Sequence, residues 1–293
     1  MTRIEMFTGK GGVGKTTMAA ASALKHAAAG KTLLISTDPS GSLTTIFDRP
    51  LAGRIARVGE NLEAVELTRQ LILTLWREKF ADEIYTVLSS FLPVGRDILD
   101  YIEGAPGIDE EFMLDYLLTM ARSGDYETIV WDTAPTVTTL NLLFVQRLFY
   151  SHLTAAQKVY LKVKSVFNQV DPLALIDKWL QLTSDIITLL KTDTRAWVVA
   201  NPECLPVEQA LDIAAALGDF GIGVNGFILN KLLAEEVCQG HSFWQGKYQA
   251  QQTWRRHLNQ AAASRPVIEI PDLAGNLNCR AGLEKIIPFL AAG

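Results

Sequence analysis

The sequence holds little of what most often builds metal or redox chemistry: three cysteines, five methionines and four histidines in 293 residues. So sparse and odd a set of cysteines, Cys204, Cys238 and Cys279, fits a reducing compartment better than a disulfide framework. With so few methionines, no methionine-rich adaptable surface is on offer. No run approaches the roughly 18 uninterrupted apolar residues of a membrane span. Residues 1–9 are charged and strand-like, with no apolar signal core, so the expected location is the cytoplasm. Basic runs are lacking as well. The 27 lysines and arginines against 32 acidic residues leave a net charge of −5, which argues against nucleic-acid partners or a polybasic membrane anchor. What is there is 48% hydrophobic and 20% charged, the balance of a folded globular chain with a core of good size.

Short β-rich runs alternate with longer helical patterns, the mark of βαβ units around a parallel sheet. Seven strands are expected, at 3–8, 32–36, 62–67, 128–131, 196–200, 224–229 and 266–270. The first helix is expected to start at Lys15, run through an alanine-rich stretch to Ala29 and stop at Gly30 in the C′ position. Gaps of about sixty residues separate Leu67 from Thr128 and Trp131 from Ala196, far beyond an ordinary crossover. Helical insertions at about 69–123 and 143–194 are therefore expected to form a subdomain on one α/β domain spanning 1–293. The second insertion carries apolar residues at helical spacing: Leu148, Phe149, Leu153, Tyr160, Val163 and Phe167, then Trp179, Leu182, Ile186 and Leu190. His26, His152 and His257 fall on expected helix surfaces and receive no role.

Gly9-Lys10-Gly11-Gly12-Val13-Gly14-Lys15-Thr16 fits G-x-x-x-x-G-K-[ST] between an expected strand and an expected helix. Glycines let backbone N–H groups curl around a polyphosphate, and the helix N-terminus adds its dipole. Lys15 then neutralises the terminal phosphates and Thr16 ligates Mg²⁺, which makes ATP and magnesium the expected ligands. Gly11, Gly12, Val13, Gly14, Lys15, Thr16 and Thr17 are the expected nucleotide-binding residues. Asp38 and Asp132 each follow an apolar strand at the carboxyl edge of the sheet, where ligands bind in open α/β folds and where carboxylates hold Mg²⁺ or its waters.

Lys10 places a second lysine inside the loop, which resembles the deviant phosphate loop of the group that includes the MinD/ParA type, the nitrogenase iron protein and the arsenite-pump ATPases. Ser36-Thr37-Asp38-Pro39-Ser40-Gly41-Ser42-Leu43 resembles the first switch segment of the arsenite-pump and tail-anchored-protein-targeting ATPases. Asp132-Thr133-Ala134-Pro135-Thr136 is similar to their second switch, and Pro106-Gly107-Ile108-Asp109-Glu110 to one of their helix starts. Ile228-Leu229-Asn230-Lys231 resembles a stretch whose asparagine reads the adenine edge, and Ile270-Pro271-Asp272-Leu273, with Arg280-Ala281-Gly282-Leu283, resembles the loop and helix that cover the base. The chain is thus identified as a member of the ArsA/Get-type ATPases. That resemblance implies a P-loop NTPase fold and a homodimer in which Lys10 reaches the partner's nucleotide. It also implies catalytic roles for Lys10, Lys15, Asp38 and Asp132, and adenine contacts from Asn230, Pro271 and Asp272. A hydrophobic helical client or a membrane-associated partner protein is the further partner that the resemblance implies, with core packing of the apolar stripe as the alternative to client binding. An ATP-sensing scaffold and the motor of an arsenite pump are the alternatives.

Three departures from the family pattern bear on activity. Thr45 stands where the family has the aspartate that handles the attacking water, with Asp48 the nearest substitute. Val137, Thr138 and Asn141 replace the glycine, histidine and arginine of the second switch. Of the zinc-binding C-x-x-C only Cys238 remains, and a Cys238/His241 pair from one chain is too thin a signal for zinc. Slow hydrolysis is the expected consequence of Thr45.

Overall fold

The strands of the sheet are β1 (Arg3–Gly9), β2 (Thr32–Ser36), β3 (Ala56–Arg57), β4 (Leu62–Glu66), β5 (Thr128–Asp132), β6 (Thr194–Ala200), β7 (Gly223–Leu232) and β8 (Val267–Pro271). The protein is known here as a computed structural model that describes residues 2–89, 93–104, 108–134, 146, 148, 150, 151, 153–155, 157, 158 and 173–291. Spatial order along the sheet is β3-β4-β2-β5-β1-β6-β7-β8, and every neighbouring pair is parallel except β3 with β4. This is the mostly parallel α/β sheet expected, with one strand more. The addition, β3, is an antiparallel edge of two residues, too short for any alternation to show in sequence.

Central strands read as continuous apolar runs because both faces are covered. All residues of β2 and β5 are buried, down to the terminal Ser36 and Asp132. The two strands pair in register, Ser36 with Asp132, while Ser36 also pairs with Glu66 of β4. Three polar residues are thereby aligned at one level of the carboxyl edge.

Helix α1 (Lys15–Ala27) presents buried Met18, Ala19, Ala20, Ala21 and Ala23 to the core, small side chains that bring its axis close to the strands. It ends two residues earlier than its alanine pattern implies, and Gly30 is not in the left-handed conformation expected of a C′ residue. The amides of Ala29 and Gly30 both return to the His26 carbonyl, at 2.9 and 3.1 Å, which satisfies the last turn without it. His26 is not a surface residue either. Its Nε2 lies 3.0 Å from the half-buried Glu5 carboxylate of β1, which also accepts from Ser22 and Trp197.

The chain divides into two compact units, one comprising Met1–Leu67, Ala121–Leu140 and Lys191–Gly293, the other Thr68–Met120 and Asn141–Leu190. The first holds the sheet. The second holds α3 (Arg69–Ser89), α4 (Ile98–Glu103), most of α5 (Ile108–Ser123) and most of the helix Leu173–Thr192. Its core includes an aromatic cluster in which Phe80 stands 5.1 Å from Phe112 and 5.5 Å from Trp179, ring centre to ring centre, distances at which such pairs attract. Lys79 caps this cluster with an ion pair to Asp115 at 2.7 Å. Leu148 of the apolar stripe is exposed, whereas Ile186 and Leu190 are buried. Pro106, Gly107, Pro135, Thr136, Val137, Thr138, Asn141, Phe149, His152, Tyr160, Val163 and Phe167 lie outside the described residues. Among the described residues no helix is long and apolar enough to cross a membrane.

Candidate active site

β1 runs into the glycine loop at Gly9, where a Cβ would stand 2.2 Å from the Val199 carbonyl oxygen of β6, so only glycine fits between the strands. The loop closes at Gly14, the N-cap of α1, with φ 98° and ψ 24°. An L side chain resists that conformation. A second constraint comes from Asn230, whose Nδ2 donates to the Val13 carbonyl at 2.8 Å and would lie 2.5 Å from a Cβ on Gly14. Lys15 is buried, and its Nζ donates to the Lys10 carbonyl at 3.3 Å. Burial pushes its pKa down, and the charges of Asp132 and Asp38 work against that fall.

Asp132 is completely buried. Its Oδ2 accepts from the Ser36 hydroxyl at 2.9 Å, and its Oδ1 has no hydrogen-bond partner among the described residues. Burial raises its pKa to about 7; the hydroxyls of Thr16 and Ser36 and the Lys15 ammonium pull the other way, and Asp38 adds to the rise. Asp38, half-buried, is held through its amide by the Ser36 hydroxyl at 3.2 Å and accepts from the Ser40 amide at 3.0 Å.

These groups border a cavity of about 730 Å³. Of the residues singled out in the sequence, Gly11, Gly12, Gly14, Lys15, Thr16, Thr17, Asp38, Asn230, Pro271 and Asp272 line it. Val13 and Asp132 are buried behind the lining, and Lys10 is half-buried away from it. Thr45 lies on the wall in α2 (Ser42–Phe47); Asp48, the C-cap of that helix, does not. Asn230 and Lys231 fall inside β7, which continues past the expected end at 229 through an irregularity in register, with Lys231 at φ 61°. Asn230 donates to Val13 and accepts from the Lys231 amide at 2.9 Å, two bonds that use one amide hydrogen and one lone pair of its carbonyl oxygen.

Sequence reasoning missed Ser36, whose hydroxyl joins Asp132 to the first switch, and Asn278, whose Oδ1 accepts from the Thr17 hydroxyl at 3.1 Å. Ser36 had a signal in its place at a strand end; Asn278 had none beyond its nearness to Arg280. Cys238 is buried, His241 and Cys204 are exposed, and Cys279 is intermediate.

A parallel sheet whose first strand turns through this glycine loop into a helix is a P-loop NTPase. The chain matches the family model of the anion-transporting ATPases over residues 2–292, and it belongs to that family, the ArsA ATPases. It is 32% identical over 245 residues to a protein of Aquifex aeolicus assigned as arsenical pump-driving ATPase 2, covering 80% of this chain and 81% of that one. It is 28% identical over 269 residues to ATPase GET3C of Arabidopsis thaliana, with 79% and 68% covered. To ATPase ASNA1 homolog 2 of Paramecium tetraurelia it is 27% identical over 269 residues, with 82% and 80% covered.

Proposed function

We propose that this chain is a magnesium-dependent, nucleotide-switched ATPase that works as a cytoplasmic homodimer and turns over slowly. Its helical unit, formed from the two insertions as a subdomain, holds a hydrophobic helical client or couples to a membrane-associated partner protein. The observation that carries this reading is one cavity lined jointly by the glycine loop, Asp38, Thr45, Asn230 and Asp272, with the Asp132 carboxylate packed beside Thr16 and Lys15.

The backbone N–H groups of Gly11 to Lys15 bind phosphate oxygens, and Lys15 supplies positive charge that burial leaves undamped by water. A magnesium ion fits the donor set: Asp132 Oδ1 is a buried carboxylate oxygen without a hydrogen-bond partner among the described residues, Thr16 offers a hydroxyl, and Asp38 stands close by. Among the described residues no group of three or more His, Cys, Asp or Glu could hold a metal ion, so most ligands would be phosphate oxygens and water, the usual environment of magnesium. When bound, the ion neutralises charge on the terminal phosphates. Asn230, Pro271 and Asp272 face the base. Zinc has no part in this proposal.

Thr45 sets the rate. A threonine hydroxyl orients an attacking water but is a poor proton acceptor at neutral pH, and general-base help is worth about 10²–10⁴ in rate. Lys10, off the cavity wall, is left to meet the phosphates of a second copy.

A steady-state ATPase assay with and without arsenite, beside light scattering with and without nucleotide, tests these statements together. Slow turnover, an ATP-dependent doubling of mass and indifference to arsenite are expected. Brisk turnover overturns the role of Thr45, and constant mass overturns the homodimer. Stimulation by arsenite favours a pump motor, a reading that the name of the Aquifex relative supports. Dimerisation without measurable hydrolysis favours an ATP-sensing scaffold, which Thr45 supports.

A further inference from the structure

Glu66, at the end of β4, is a buried carboxylate that the site described above does not use. It is 4% exposed, and both of its oxygens are taken up by α2. Oε1 accepts the backbone N–H groups of Leu43 at 2.6 Å and Thr44 at 3.2 Å, and Oε2 accepts the Thr44 hydroxyl at 2.7 Å. Thr44 Oγ1 in turn accepts the amide of Leu51 at 3.2 Å, and the Glu66 amide donates to the Leu51 carbonyl at 3.0 Å. One residue therefore ties both ends of the segment from Leu43 to Leu51 to the sheet, its side chain holding Leu43 and Thr44 and its backbone amide holding Leu51.

Helix α2 needs such a tie. Six residues are too few to hold a helix in water, and its N-cap, Gly41, provides no side-chain hydrogen bond. A carboxylate reaching in from a neighbouring strand satisfies the same orphan amides that a capping side chain would, and charge assistance makes the bonds strong. The same helix lines the nucleotide cavity with Ser42, Thr45 and Ile46. Glu66 also pairs in register with Ser36, whose other neighbour in the sheet is Asp132. The anchor of α2 and the carboxylate beside Thr16 thus stand at one level of one sheet edge.

We propose that Glu66 is the positioning residue of the nucleotide-facing helix α2, fixing where Ser42 and Thr45 meet the terminal phosphate and the attacking water. This role rests on the reading that the cavity binds and hydrolyses ATP. Misplacing a reacting group by about 1 Å costs about 10²-fold in rate, so the effect belongs in the chemical step and not in ATP binding, which the glycine loop governs.

The test compares the wild type with Glu66→Leu, which removes all three bonds, and Glu66→Gln, which keeps a carbonyl oxygen for the two amides. In nucleotide-free protein, hydrogen exchange at the amides of Leu43 and Thr44 should speed up by about tenfold or more in Glu66→Leu, because both lose their acceptor. Single-turnover hydrolysis should fall by about tenfold or more while the Kd for ATP by calorimetry stays within about threefold. Glu66→Gln should recover most of the exchange protection and most of the rate. Should Glu66→Leu fail to fold, Thr44→Val removes the Oε2 arm together with the acceptor of the Leu51 amide, keeps both Oε1 bonds, and should show the same split in smaller measure. Unchanged exchange at Leu43 and Thr44 overturns the anchor. Faster exchange with unchanged hydrolysis, or equal losses in hydrolysis and ATP affinity, overturns the positioning role. Absence of ATP binding in the wild type overturns the ATPase reading and the positioning role with it, and leaves the exchange result to decide the anchor by itself.

Discussion

Replacing Gly14 by alanine adds one methyl group at the tightest point of the phosphate loop, and its cost is made of two parts. The backbone there has φ 98°, and an L residue held in a left-handed conformation costs about 1–2 kcal/mol. The new Cβ would lie 2.5 Å from Asn230 Nδ2, which is pinned 2.8 Å from the Val13 carbonyl. To make room, Asn230 must give up that bond, leaving a buried carbonyl unpaired at about 1–3 kcal/mol. Gly14→Ala should therefore lose about 2–5 kcal/mol in urea unfolding followed by tryptophan fluorescence. A double-mutant cycle isolates the second part. Asn230→Ala by itself already leaves Val13 unpaired, so in the double variant that loss is counted once. The double variant should be more stable than the sum of the singles implies, by about 1–3 kcal/mol. Additivity within about 0.5 kcal/mol would show that the methyl group and the Asn230 bond do not compete. A loss below about 0.5 kcal/mol for Gly14→Ala would refute the strain argument altogether.

Thr45→Asp puts a carboxylate on the cavity wall, and single-turnover hydrolysis should rise by about tenfold or more; a wild type that is already as fast removes Thr45 as the brake. Lys10→Ala keeps the backbone carbonyl that accepts from Lys15, so ATP affinity by calorimetry should hold while ATP-induced dimerisation by light scattering is lost; normal dimerisation rules out the bridging role. For Glu5, burial raises the pKa, but hydrogen bonds from His26, Ser22 and Trp197 outweigh it and hold the carboxyl below the usual range. A depressed folded pKa contributes stability that is full above about 4.5 and vanishes as pH falls through the folded value. His26→Ala should thus shift acid unfolding to higher pH, and an unchanged acid midpoint would show that His26 does not hold Glu5 down.

The glycine loop and the strand ends were legible in the sequence because phosphate binding is a local demand. Consecutive residues from Gly9 to Thr16 must turn, expose amides and start a helix, and spacing alone records all three requirements. The strands of the central sheet were legible for a similar reason, since burial on both faces leaves an apolar run. What escaped was whatever depends on a pairing or contact that no local pattern records. β3 is two residues that owe their strand conformation to β4, and the continuation of β7 past Asn230 depends on an irregular pairing with β8. His26 looked like a surface residue because only the fold supplies Glu5 on the strand beneath it. Ser36 shows the same limit at the site itself. Its place at a strand end, at the head of the first-switch-like stretch, was legible, yet only the sheet gives its neighbours, Glu66 on one side and Asp132 on the other. Its hydroxyl donates to Asp132 and accepts from the amide of Asp38, while Glu66 holds the helix that follows Asp38. Motifs therefore name most of the groups that line the cavity. Register, which no motif spells out, decides how those groups are held in place, and variants at Ser36 and Glu66 perturb that support without removing a residue of the glycine loop.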